Sequence, residues 1–138
     1  MKIFDEVEGP WSSKVNFVDD HNVVIGYDTD QCCCEDAYWF IHRELIFDNP
    51  TYKERNKSTL LELMRDSKVP EDLTKHYIDT EFCKEEDLDY GNVAVFLLKD
   101  MTGRVDSYYL YLVNCHNGYY SHGFTVEHNG TEIRSGSL

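Results

Sequence analysis

The chain has 138 residues, 41 % of them hydrophobic, which is enough to bury a core without disulfide or metal staples and too apolar for a disordered segment. Its 26 acids against 13 bases leave a net charge of −13, which opposes direct binding to nucleic-acid phosphates or to an anionic membrane. No stretch approaches the ~18 consecutive apolar residues of a membrane span.

The opening segment MKIFDEVEGPW has one lysine and then three acids by position eight. It fits neither a signal peptide nor a transit peptide, so the expected location is the cytosol. Five cysteines agree with a reducing compartment: Cys32, Cys33 and Cys34 are contiguous, while Cys83 and Cys115 stand alone. An odd number with adjacent positions does not make a secreted disulfide framework. Ten tyrosines and seven phenylalanines favour strands.

KVNFV and VVIGYD read as a hairpin across DDHN, with Val15 and Phe17 alternating against polar neighbours. AYWFIH (37–42) is a third strand. In NKSTLLELMRD, Thr59 and Glu62 form the T-x-x-E of a capping box, and Leu60, Leu63 and Met64 recur at helical spacing. This predicts a short helix over about 60–67, and Pro70 suits the start of a further helical turn reaching about residue 75. YIDTEF (77–82) alternates like an edge strand, with Ile78, Thr80 and Phe82 on one face. The acidic run Glu85-Glu86-Asp87-x-Asp89 reads as a solvated loop. VAVFLL (93–98), apolar on both faces, reads as a central strand, joined through DMTGR to VDSYYLYLVN (105–114). Asn117-Gly118 and Asn129-Gly130 both suit two-residue type I′ turns. The expected fold is α+β, mainly β. It comprises antiparallel sheet with an N-terminal hairpin, a helical insertion at about 59–75 and a C-terminal four-stranded meander, all in a single domain over 1–138. Charge follows the same division: residues 53–78 hold 6 bases and 5 acids, whereas both flanks are strongly acidic.

NCHNGYYSHG (114–123) crowds a cysteine, two histidines and two tyrosines into ten positions. A tight turn at Asn117-Gly118 pairs Cys115 with Tyr120 and Val113 with His122. Period-2 alternation then places Tyr109, Tyr111, Val113, Cys115, Tyr120, His122, Phe124 and Val126 on a core face, joined by Ile133 through a Val126–Ile133 pair at the second turn. Tyr108, Leu110, Leu112, Asn114, His116, Tyr119, Ser121 and Glu127 fall on the other. Cys115 then points inward and His116 outward, so Cys115, His116 and His122 do not ligate one ion. A reduced ligand set of Cys33, Cys34, Cys115 and His122 survives for a structural metal, although adjacent cysteines rarely present two ligands to one zinc. Cys115 with His122 as a nucleophile and base is disfavoured by burial in an acidic protein.

Paired carboxylates recur at Asp19/Asp20, Asp28/Asp30 and Glu35/Asp36, but their facing across a cleft is not written in the sequence. DDHN lacks the length and glycine of a calcium loop. There is no P-loop, dinucleotide fingerprint or nucleophile elbow. No catalytic residue and no cofactor is therefore assigned. Trp11, Trp39, Phe40, Tyr108 and Tyr119 read either as a recognition surface or as packing against a sheet. Polarity rises toward the Asn117-Gly118 turn, which makes Asn114, His116, Asn117, Tyr119, Ser121 and Tyr108 the expected contact surface.

KVNFVDDHNVVIGYDTDQCCCEDAYWFI (14–41) and NCHNGYYSHGF (114–124) together resemble a family of small uncharacterised bacterial and phage proteins. That family has a hairpin, a Gln-x-Cys-Cys-Glu element leading into an aromatic strand, and a late Asn-Gly-Tyr-Tyr turn. The matching residues are Gln31, Cys33, Cys34 (or Cys32, Cys33), Glu35, Asn117, Gly118, Tyr119 and Tyr120. The resemblance implies a genomic setting and no assigned chemistry.

The sequence therefore points to a non-enzymatic binding protein that neutralises a partner with a basic surface, in the manner of toxin-immunity or phage anti-defence proteins. A small-ligand or metal module at Cys32–Cys34, Cys115 and His122 is the alternative. A cysteine-dependent hydrolase comes third.

Overall fold

A computed structural model describes residues 1–7, 13–30, 36–46, 57–67, 69–103, 107–115 and 121–138. Its elements are strands β1 (Lys2–Val7), β2 (Ser13–Val18), β3 (Val23–Asp28) and β4 (Asp36–His42), helix α1 (Lys57–Arg65), a 3-10 turn (Leu73–Lys75), and strands β5 (His76–Leu88), β6 (Gly91–Asp100), β7 (Tyr108–Cys115), β8 (Gly123–His128) and β9 (Thr131–Ser137). They form two antiparallel sheets, one five-stranded in the order β1-β2-β3-β8-β9 and one four-stranded in the order β4-β7-β6-β5. The expected α+β, mainly β class is the observed one.

Two cores follow from this arrangement. Val15 and Phe17 of β2, Ile25 and Tyr27 of β3 and Phe124 and Val126 of β8 face Ile41, Ala94, Phe96, Leu98, Leu110 and Leu112 of the other sheet. This is the inter-sheet core. On the far side of the four-stranded sheet, Leu60 and Leu63 of α1 lie on Phe40, Val93, Val95, Tyr111, Val113 and Cys115. The Leu60, Leu63 and Met64 stripe is thus the buried face of the helix. The helix begins at Lys57, so Thr59 lies inside its first turn and is not its cap. Pro70 precedes a turn that becomes helical only at Leu73–Lys75, where the Leu73 N–H reaches the Pro70 carbonyl at 3.2 Å.

The N-terminal hairpin forms as expected, with Val15↔Tyr27 and Phe17↔Ile25 in register. VAVFLL is central, between β5 and β7. The C-terminal meander is not observed. β6–β7 and β8–β9 are paired, but β7 lies between β4 and β6 in one sheet while β8 pairs with β3 in the other. The pairing of Val113 with His122 therefore does not exist, since Val113 stands opposite Tyr38 and Val93, and Tyr120 lies outside the described residues. Cys115 sits opposite Asp36 and Gly91 instead. Both faces of β7 are apolar, and each has its own cover: one takes the second sheet and the other takes α1. A strand with two buried faces cannot also turn its polar side to water in a simple hairpin. The Asn117-Gly118 dipeptide lies outside the described residues.

At Asn129 (φ 54°) and Gly130 (φ 78°) the second turn has the two left-handed residues of a type I′ hairpin. Beyond it a bulge shifts the register, so Val126 pairs with Arg134 and Ile133 is left 48 % exposed. The extra residue removes Ile133 from the core face. β5 departs further. Ile78 pairs with Leu98 and Cys83 with Phe96, so residues 79–82 bulge against Leu97. Ile78 consequently enters the inter-sheet core while Phe82 turns to the helix side, against Tyr109. The acidic run is no loop: Glu85, Glu86 and Asp87 continue β5 opposite Ala94, Val93 and Asn92. An edge strand tolerates such charges because one side of its ladder faces water.

Candidate functional site

Of the contact surface expected around Asn117, the described residues are Tyr108, Asn114 and Ser121. Tyr108 and Asn114 are both buried, at opposite ends of β7 and roughly 20 Å apart at strand rise. The Asn114 amide donates to the Leu138 carbonyl at 3.0 Å, making it a brace for the end of β9. Ser121 is exposed, whereas His116, Asn117 and Tyr119 lie outside the described residues. Among the aromatic candidates, Trp39 packs edge-on against Phe17 with ring centroids 5.2 Å apart, and Phe40 stacks on Tyr111 at 4.5 Å. These rings pack against the cores. Trp11 is outside the described residues.

Cys115 and His122 are separated by the sheet assignment. Cys115 is buried on the helix side beside the Tyr38 hydroxyl, and burial together with that thiol raises the Tyr38 pKa well above the ordinary tyrosine range. His122 is buried in the five-stranded sheet, its Nδ1 3.0 Å from the Asp28 carbonyl, to which it donates. Burial of Cys115 opposes formation of the thiolate a nucleophile needs. Among the described residues no group of three or more His, Cys, Asp or Glu side chains could hold a metal ion. Cys32, Cys33 and Cys34 are not among them.

Two concavities do have the groups for recognition. The first lies on the outer face of the five-stranded sheet. Helix α1 packs on the other sheet, and around Gly26 this face carries small and polar side chains. Inward residues Val15, Phe17, Ile25 and Tyr27 alternate with outward Lys14, Asn16, Gly26 and Asp28. Gly26 stands opposite Asn16 on one side and Thr125 on the other, and Thr125 stands opposite Ser135. A floor without large side chains results, in a groove of about 430 Å³ whose charged lining is Glu6, Lys14, Asp28 and Asp30.

The carboxylates of this groove are held in place. Asp28 Oδ1 accepts from the Asp30 N–H at 2.9 Å, and Asp30 Oδ1 accepts from the Ser13 N–H. Ser13 in turn donates its hydroxyl to the Thr29 carbonyl at 2.8 Å, and the Thr29 N–H returns to the Ser13 carbonyl at 3.1 Å. Acceptors fixed in this way lose little freedom when a cation arrives. The sequence signal for the groove was the glycine inside VVIGYD, since an interior strand glycine marks close approach of another group. Asp28/Asp30 was visible only as one carboxylate pair among several.

The second concavity, about 750 Å³, lies where β4, β5, β7 and the segment after α1 meet. Here Arg43 Nε and Nη2 donate to the Tyr108 hydroxyl at 3.2 and 3.0 Å, and Tyr108 meets the buried His76 ring edge-on at 5.4 Å. His76 Nδ1 lies 3.1 Å from the Asp72 carbonyl, which assigns its proton to Nδ1. His76 Nε2 is buried and finds no hydrogen-bond partner among the described residues. Asp100 Oδ1 is occupied by the Thr102 N–H and hydroxyl at 2.8 and 2.7 Å.

Among the described residues, no helix is long and apolar enough to cross a membrane. Comparison with known proteins finds no matching family model, curated protein or solved structure.

Proposed function

We propose that the protein is a small acidic, non-enzymatic binding module that neutralises a partner with a basic surface, of the immunity-protein or phage anti-defence type. The observation that carries this reading is the sheet face left uncovered by the described residues, where three carboxylates and one lysine line a groove in a chain of net charge −13. Such a surface attracts basic proteins, orients them on approach and repels nucleic acid and anionic lipid. The resemblance to small bacterial and phage proteins supports the same setting.

The test is affinity capture with the untagged face free, from host lysate and from cells expressing the neighbouring genes. A stoichiometric basic partner should be retained at about 50 mM salt and released near 500 mM, where screening shortens the reach of exposed charges. Absence of a stoichiometric partner, or a partner as acidic as the protein itself, contradicts the reading.

A second reading rests on the Tyr108 cleft. The acceptor nitrogen of His76 there would take an N–H or O–H donor from a small ligand, because a buried polar atom without a partner is costly to leave unmade. Thermal-shift screening separates it from the first reading. The cysteine-based metal alternative is tested by elemental analysis of protein purified without a histidine tag.

A further inference from the structure

The groove on the five-stranded sheet already contains a cation belonging to the chain. A Cβ placed on Gly26 would lie 2.9 Å from Lys14 Cε and 3.2 Å from its Nζ. The Lys14 side chain thus runs along the sheet and over Gly26, into space that any other residue at 26 would occupy. In strand register Lys14 stands directly opposite Asp28, yet its ammonium reaches diagonally across the floor toward Gly26 and Asn16. Glu6, Asp28 and Asp30 line the same groove, so the Lys14 ammonium shares it with three carboxylates.

We infer that Lys14 is an internal occupant of a receptor groove for basic side chains, displaced when an extended lysine- or arginine-bearing segment of a protein partner lies across β2, β3 and β8. This rests on the proposed neutralising function and specifies its site. Charge complementarity selects the occupant. An acidic or apolar segment would meet three carboxylates without compensation. A basic one replaces Lys14 like for like, its backbone lying over the glycine and hydroxyl floor formed by Gly26, Gly123, Thr125 and Ser135. Lys14 also keeps the groove from standing as an uncompensated acidic pocket in the free protein. Lys14 and the partner therefore compete, and removing Lys14 should tighten binding.

The experiment titrates the full chain into fluorescein-labelled hexalysine at low salt and reads anisotropy. Lys14→Ala should bind about fivefold tighter than wild type, while Lys2→Ala, with the same charge change on β1, should stay within about twofold. The Asp28→Asn/Asp30→Asn double variant keeps the Oδ1 acceptors and should bind about tenfold weaker, whereas Glu62→Gln/Asp66→Asn around α1 should stay within about twofold. Equal effects of the two lysine variants, or of the two acid pairs, overturn the inference, since the attraction would then be the undirected field of an acidic protein. No measurable binding by any form overturns it too. If the acid pair in the groove disturbs folding, the comparison of Lys14→Ala with Lys2→Ala decides alone. A captured basic partner whose affinity ignores Asp28→Asn/Asp30→Asn would leave the neutralising function standing and remove this site; absence of any basic partner would remove both.

Discussion

The buried carboxylate of Asp19 accepts a hydrogen bond from the backbone N–H of Ile78 at 2.8 Å, joining a turn of one sheet to the bulged edge strand of the other. Its second oxygen takes the His21 and Val23 N–H groups, both at 2.9 Å, and so closes the β2–β3 turn. One side chain therefore sets a hairpin turn and fixes the point where β5 leaves its register. Asp19→Ala strands three backbone donors, two of them buried, and should cost about 2–4 kcal/mol in urea unfolding. Asp19→Asn should also be costly, because its amide presents donors to donors. A loss below about 1 kcal/mol for either would show that water replaces the carboxylate.

Tyr27 makes a second tie between the sheets, donating its hydroxyl to the Val113 carbonyl at 2.8 Å. Burial, then the nearby Asp28 carboxylate, raises its pKa far above the ordinary tyrosine value. The unfolded chain ionises this phenol near its usual value of about 10 while the folded chain keeps the proton, so stability is full below about pH 10 and declines above it. The contribution of this group falls by about 1.4 kcal/mol for each further pH unit. Tyr27→Phe should cost about 1 kcal/mol at neutral pH and show a shallower alkaline decline in chemical denaturation. Parallel alkaline profiles for the two proteins would contradict this assignment.

Gly91 opens β6 with φ 128°, and a Cβ there would lie 1.9 Å from the Asn114 carbonyl oxygen. Gly91→Ala must push β6 from β7 and should cost more than about 3 kcal/mol. Gly103 has φ 77° with open space around its Cβ position, so Gly103→Ala should cost only about 1–2 kcal/mol of backbone strain. Thermal melts of the pair compare a steric with a purely conformational penalty. Equal losses would refute the close approach at Gly91.

Cys115 lies under α1 among Phe40, Tyr111 and Val113. Iodoacetamide labelling of the native protein, mapped by mass spectrometry, should modify Cys83 ahead of Cys115, because Cys83 is only partly buried. Burial nonetheless raises the Cys83 pKa, with Arg134 pulling it the other way, so labelling at neutral pH should still be slow. Rapid alkylation of Cys115 would reopen the nucleophile reading.

Much of the strand content was legible because period-2 alternation and Asn-Gly turns are local signals. The hairpin of residues 14–28, the aromatic strand β4, the central β6 and the Asn129-Gly130 turn all depend on neighbours in sequence. What failed was the assignment of neighbours in space. Both faces of β7 are apolar, and no local pattern says that one faces a second sheet and the other a helix. Strand β1 leaves little mark in the sequence because only Met1 and Ile3 of its region join the inter-sheet core, while Phe4 points outward at 49 % exposure; pairing with β2 makes it a strand. The bulges at 79–82 and at Ile133 shift register without a sequence mark, which is why Phe82 and Ile133 were placed on the wrong faces. The site shared this fate. Gly26, Lys14, Asp28 and Thr125 come from three strands, and their meeting on one face is a product of the sheet order.

A basic ligand is expected to touch the protein on the outer face of the five-stranded sheet. Titration of ¹⁵N-labelled protein with hexalysine, followed by amide chemical shifts, should move Lys14, Gly26, Asp28, Gly123, Thr125 and Ser135 while leaving Phe40, Leu60 and Leu63 unchanged. Shifts centred on Glu85–Asp87, or spread evenly over the exposed acids, would contradict a groove built to receive a basic side chain.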